Sequence, residues 1–163
     1  MILHAGLIAR RACGRWRGVL IEGASGSGKS DLALRALERG WSLVADDRTL
    51  IWRDGSRLWG RAPDTLAGLI EARGLGIVAA DRLPFAEIAL VVRCAPAADL
   101  ERMPELAAWS ALGVSLPVVA LAPFEESATA KLDRALGALD SRDNRRIKRR
   151  APAESSPDAG GVP

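Results

Sequence analysis

Eight consecutive residues constrain this chain more than any other feature: Gly23-Ala24-Ser25-Gly26-Ser27-Gly28-Lys29-Ser30 satisfies G-x-x-x-x-G-K-[ST] without a mismatch. Glycines at these spacings let the backbone curl around an anion so that several N–H groups point inward at once. A helix starting at the end of the loop adds its positive dipole end. Lysine at the seventh position reaches outer phosphates, and the serine hydroxyl after it is placed to ligate magnesium. The flanks match that mechanism. Val19-Leu20-Ile21 favours a strand before the loop, and Leu32, Leu34 and Leu37 recur at helical spacing after it, with Gly40 as a C-terminal stop. The motif therefore reads as a phosphate-binding loop for a nucleoside triphosphate and magnesium, rather than a chance glycine-rich turn.

Around this loop the pattern alternates strands and helices. Ile2 to Ala9 reads as a first strand and Gly14 to Gly18 as an Arg/Gly-rich turn. Leu43-Val44-Ala45 forms a short strand ending in Asp46-Asp47. Leu50 to Trp52 and Arg57 to Trp59 flank Asp54-Gly55, a hairpin signal. Ile88 to Val92 and Val118 to Leu121 read as further strands, and Phe124 to Leu139 as a closing amphipathic helix with Ala128, Leu132, Ala135, Leu136 and Leu139 on one side. The expected fold is α/β, a mixed and partly antiparallel sheet around the phosphate loop with flanking helices; the hairpin argues against a purely parallel sheet.

With 163 residues and 48% hydrophobic residues the chain suits one domain with an ample core. We assign residues 1–140 to that domain and 141–163 to a tail that is first basic and then Pro/Gly/Ser-rich, a composition expected to be disordered. The net charge of +3 owes much to the run Arg142, Arg145, Arg146, Lys148, Arg149 and Arg150. Basic tails bind phosphate backbones nonspecifically, but a solvated tail is the preferred account over a nucleic-acid role. Cys13 and Cys94 have no CxxC spacing, which points away from zinc and disulfides and toward a reducing, cytoplasmic setting. No apolar stretch is long enough to suggest a membrane span, and the first residues lack the charge order of a signal peptide.

Other residues carry less specific signals. Asp46-Asp47 at a strand end soon after a phosphate loop suits a magnesium site or a group orienting a nucleophile; alone it would read as a solvated turn. Glu71 and Arg73 precede Gly74-Leu75-Gly76, whose glycines suggest a close backbone approach to another segment or a ligand. His4, the single histidine, reads as a packed strand residue. Trp16, Trp41, Trp52, Trp59 and Trp109 are scattered and read as structural.

Taken together, the phosphate loop, Leu43-Val44-Ala45-Asp46-Asp47 and Glu71-Ala72-Arg73-Gly74-Leu75-Gly76-Ile77 resemble the bifunctional HPr kinase/phosphorylase family over roughly residues 2 to 92. The E-x-R-G-L-G-I string is specific to that family, and the length resembles its short bacterial form without the usual N-terminal domain. The resemblance implies a PEP-carboxykinase-like P-loop core and an ATP- and Mg²⁺-dependent kinase. Its acceptor would be a serine of an HPr-like phosphocarrier in phosphotransferase-system regulation, with removal of that phosphate as a second activity, and the family's homo-oligomer as a possible assembly. By position, Gly23, Ala24, Ser25, Gly26, Ser27, Gly28, Lys29 and Ser30 would bind nucleotide, with Lys29 catalytic and Ser30 on magnesium. Asp47 would be the general base, Glu71 the second magnesium ligand, and His4 the family's catalytic histidine, which displaces the packed reading.

Two departures stand out. Arg10 to Arg17 looks like an insertion of about four residues between His4 and the loop strand. The family's arginine-bearing P-x-R-P-G-R-like string has no counterpart in Leu116 to Pro123, which holds no arginine. That absence favours a second hypothesis, a nucleotide-binding module that switches a partner without phosphorylating it, whereas Asp47 and Glu71 favour the kinase. A P-loop kinase of another acceptor is the third.

Overall fold

The computed structural model of the protein describes residues 1–12, 14–105 and 107–150. In chain order its elements are β1 (Ile2–Leu3), β2 (Ala5–Ala12), β3 (Arg15–Glu22), α1 (Lys29–Leu37), β4 (Ser42–Ala45), β5 (Thr49–Asp54), β6 (Arg57–Arg61), β7 (Leu69–Ala72), β8 (Gly76–Ala79), β9 (Ala86–Cys94), β10 (Ala107–Ala111), β11 (Val114–Leu121) and α2 (Ala128–Arg150). The main sheet runs β1-β5-β6-β9-β3-β2-β4, with β11 joined to β9 and β10 to β11. β3, β9 and β11 are parallel neighbours and the remaining pairs are antiparallel. The sheet is therefore mixed, as expected for an α/β fold of this pattern. β7 and β8 form a separate hairpin.

The central strands carry apolar residues on both faces because both faces are covered. On β3, Val19 and Ile21 join one cluster with Ile8, Leu43, Leu90 and Val92, sealed by Leu32 and Ala36 of α1 and by Leu132 and Leu136 of α2. Leu20 points the other way, into a cluster with Leu7, Val44, Ile88 and Val91 that Ile51 and Leu58 of the β5–β6 hairpin close. Alternation along β9 slips once, where Gly18 pairs with Ile88 but Val19 pairs with Leu90. The extra residue, Ala89, turns toward the helices beside Leu90, as a bulge requires.

Some boundaries differ from the sequence expectation. The first strand breaks at His4, and its continuation runs on to Ala12. Residues 15 to 18 are strand rather than turn. They pair with β2 in the register Arg10↔Arg17, Arg11↔Trp16 and Ala12↔Arg15, and Gly14, with φ 78°, supplies the turn. The insertion at Arg10 to Arg17 thus lengthens a hairpin at the end far from His4. α1 ends at Leu37, and the turn after it closes at Gly40 in a Schellman pattern: Gly40 N–H donates to the Leu37 carbonyl and Trp41 N–H to that of Ala36. α2 begins at Ala128, with Ala128, Leu132 and Leu136 buried against the sheet, and continues to Arg150. The boundary expected at 141 therefore falls within a helix. The side chains of 142–150 and the expected disordered stretch 151–163 lie outside the described residues. No helix among the described residues is long and apolar enough to cross a membrane.

Candidate functional site

Strand register explains how distant residues meet. Ala5 pairs with Glu22 and Leu7 with Ala45, so the start of β2 and the ends of β3 and β4 share one sheet edge. His4, the loop after β3 and the Asp46-Asp47 pair after β4 emerge side by side. His4 and Asp47 line a cleft of about 220 Å³ with Ser25, Gly26, Gly28, Lys29, Ser30, Glu71, Arg73, Leu75 and Phe124, and Asp46 lies behind Ser30.

The loop itself folds as its composition requires. Ser27 N–H closes a turn on the Ala24 carbonyl, and Leu32 N–H opens the helix on the Gly28 carbonyl. Gly28 has φ 93°, and a Cβ there would sit 2.9 Å from Phe124 and 3.0 Å from Pro123, so only glycine fits. Lys29 is 7% exposed, and its Nζ donates to the Gly23 (2.8 Å) and Ala24 (3.0 Å) carbonyls. Those are neutral acceptors, from which an incoming phosphate oxygen can take the ammonium at little cost.

Of the two aspartates, Asp46 is only 6% exposed. Its carboxylate accepts from Ser30 Oγ (2.8 and 3.1 Å) and from the Glu71 backbone N–H (2.9 Å). It thereby ties α1 to the β7–β8 hairpin. Asp47 sits next to it in the left-handed region, φ 61°, which turns its side chain back to the cleft. Aspartate is among the few residues that tolerate that conformation. Its carboxylate is 58% exposed; Oδ1 accepts from His4 Nε2 at 2.7 Å, and Oδ2 lies 3.7 Å from Arg48 Nε. His4 is half-exposed and engaged with Asp47, not packed in a core.

Glu71 is exposed on β7 at the cleft, opposite Ile77. The glycines after it do not serve a close approach. A Cβ at Gly74 or Gly76 would meet nothing described within 4 Å, and their φ values of 91° and 98° show what they supply instead, a left-handed turn. That turn pushes Leu75 into solvent, 82% exposed. The set of oxygens available at the cleft is hard, with the Ser30 hydroxyl and Glu71 lining it and the Asp46 carboxylate bonded to Ser30. It suits magnesium, which prefers one or two carboxylates completed by phosphate oxygens. Among the described residues no group of three or more His, Cys, Asp or Glu that could hold a metal ion is gathered.

Sequence reasoning weighed Asp46 with Asp47 and then assigned only the second; the strand-end doublet was the available signal for both. It missed Phe124 and Cys94. Cys94, at the end of β9, is buried, and its thiol is pushed up from 9.0 to about 11, chiefly by burial, with Lys29 and Ser27 opposing. Below pH 9 the folded and unfolded chains both keep this proton, and the buried neutral thiol contributes fully to stability. Between pH 9 and about 11 the unfolded chain ionises first, so the contribution falls as pH rises. We expect the gap in urea midpoint between the parent and Cys94→Ala to narrow over that window, and Cys94 to resist alkylation at pH 8 in the folded protein when followed by peptide mass mapping.

A strand, a glycine loop with lysine and serine, a helix, and Asp46, Asp47 and Glu71 beside them make up the candidate site of this mixed α/β fold. The chain belongs to the HPr serine kinase C-terminal domain family, whose model matches residues 14–95, half of the chain. HPr kinase/phosphorylase of Streptococcus thermophilus is 50% identical over 62 residues, 37% of this chain and 20% of that protein. The Streptococcus pyogenes protein of the same name is 48% identical over the same length. The match thus spans about a fifth of these relatives. The structure of the Hpr(Ser) kinase/phosphatase from Coxiella burnetii superposes with a TM-score of 0.77, covering 92% of this chain and 99% of that one at 20% identity, a likeness of fold.

Proposed function

We propose that this chain is an ATP-dependent kinase that phosphorylates a serine on an HPr-like phosphocarrier, with magnesium as the required cation. The observation that carries this reading is the Asp47–His4 pair at 2.7 Å on the rim of the cleft that also holds Lys29 and Ser30. A serine hydroxyl is a poor nucleophile at neutral pH and needs an adjacent base. Asp47 accepts the serine proton as the serine oxygen bonds to the terminal phosphorus and the bond to ADP breaks. His4 holds the carboxylate in position by donating to Oδ1. Lys29 leaves its two carbonyl partners for the outer phosphates and offsets the charge spread over the transferring group. Ser30 and Glu71, with Asp46 behind Ser30, would hold magnesium, which when bound neutralises phosphate charge. In reverse, Asp47 returns the proton to the leaving serine.

The test is direct. Purified chain, magnesium, labelled ATP and an HPr-type phosphocarrier are expected to yield phosphoserine on the carrier. Tight ATP binding without transfer would sink the HPr-type carrier as acceptor and leave a kinase of another acceptor or a nucleotide-dependent switch. One observation favours the switch: residues 116 to 121, where the family's arginine string was sought, are built into β11 beside β9 and hold no arginine.

A further inference from the structure

A second cavity, of about 610 Å³, opens on the other side of the phosphate loop. Its volume falls within the ~300–1,000 Å³ typical of small-molecule sites. The loops that follow β9 and β11 form its far wall, with Cys94, Pro96, Ala97, Pro123 and Phe124 among the lining residues. Ser25, Gly26 and Phe124 line both this cavity and the phosphate cleft, so the two are continuous around the loop. A molecule with a polyphosphate in the cleft can therefore reach this apolar space around Ser25, Gly26 and Phe124.

We propose that this cavity takes the nucleoside end of the nucleotide, with Phe124 as the surface on which the base stacks, and that the site does not discriminate among bases. This rests on the phosphate reading of Gly23 to Ser30. Phe124 is 69% exposed and braced at the loop against Gly28, so a flat aromatic face is available. Base identity is read by hydrogen bonds to ring edges, and the wall has few to offer. Its side chains are mainly alanine, proline, cysteine and phenylalanine, with only Ser25, Ser27 and Glu125 polar. Much of the backbone is already engaged. Ala95 N–H donates to the Leu121 carbonyl, and the Pro96 and Ala97 carbonyls accept from Asp99 and Leu100. Glu125 N–H donates to Ala122, and Arg35 occupies the carbonyls of both Pro123 and Glu125. Pro96 and Pro123 have no N–H to give. Stacking tolerates any base because every base has a π face.

Calorimetric titration of the full chain with MgATP, MgGTP and magnesium tripolyphosphate tests this. ATP and GTP are expected to bind within about threefold of each other. Phe124→Ala, a change at an exposed side chain, is expected to weaken both nucleotides by about tenfold, as loss of a stacking partner does, and tripolyphosphate, which has no base to stack, by no more than about twofold even though Phe124 also borders the cleft. Ala97→Trp, which fills the cavity from its exposed rim, gives the same split without removing the aromatic. A preference for ATP over GTP beyond about thirtyfold would overturn the tolerance, since only edge recognition discriminates that strongly. Equal losses for nucleotides and tripolyphosphate in both variants, or no loss of either nucleotide, would overturn the base site. Failure of all three ligands to bind the parent would instead remove the phosphate reading beneath it.

Discussion

Asp47→Asn is expected to lose serine phosphorylation by about 10²- to 10⁴-fold, the range that positioned acid–base catalysis supplies, while binding MgATP as the parent does. The split between chemistry and binding follows from the geometry. Asp47 lies on the rim of the cleft with its carboxylate 58% exposed, whereas Lys29 and Ser30 belong to the loop and helix that would receive the phosphates. Asparagine is the informative replacement. It tolerates the φ of 61° as aspartate does, so the chain should not refold locally. Its amide oxygen still accepts from His4 Nε2 at the position of Oδ1. What it cannot do is take a proton from a serine hydroxyl. Quench-flow phosphotransfer and equilibrium nucleotide binding, measured on the same preparation, check the two halves separately. A variant with unchanged turnover removes Asp47 as the base. One that binds ATP poorly would instead place the residue among the phosphate contacts. His4→Ala should cost less, because it leaves the base in place and removes only the partner that orients it.

Local pattern made some of this site legible and long-range register hid the rest. The loop was readable because each position answers a steric or electrostatic demand that residue type alone reveals: glycine at 28 where a Cβ would strike Pro123 and Phe124, and a lysine and a serine at the helix start. The strand order could not be read in that way. β3 lies between β2 and β9, and β9 divides its outer edge between β6 and β11, pairings set by packing between residues far apart in the chain. His4 illustrates the consequence. From the sequence it sits on an apolar strand, and nothing nearby suggests a partner. The Ala5↔Glu22 and Leu7↔Ala45 registers bring it to Asp47. Gly74 and Gly76 failed in the opposite sense, because glycine can mean close approach or positive φ, and only coordinates separate the two.

Asp46→Asn is expected to weaken magnesium-dependent nucleotide binding by about 10- to 100-fold, the usual loss when a group that orients a metal ligand is changed, with little effect on folding. The carboxylate does two things at once. It fixes the rotamer of Ser30, whose hydroxyl is the candidate metal ligand, and it anchors the Glu71 backbone N–H, which sets the second carboxylate at the cleft. Asparagine can keep both contacts. Its oxygen can accept from Glu71 N–H, and its amide can donate to Ser30, because a hydroxyl serves as donor or acceptor. In that arrangement the Ser30 hydroxyl no longer donates toward residue 46, and the negative charge beside the cation is gone. Asp46→Ala removes the contacts as well, leaving Ser30 and the Glu71 N–H without their acceptor. An unmade bond at a partly buried group costs about 1–3 kcal/mol, toward the lower end where water can enter. The pair of variants therefore separates charge from architecture. Asparagine should lower magnesium-dependent affinity at nearly parental denaturation midpoint; alanine should lower both. If asparagine leaves the magnesium dependence untouched, Asp46 is a structural tie between helix and hairpin, and the cation relies on Ser30 and Glu71 alone.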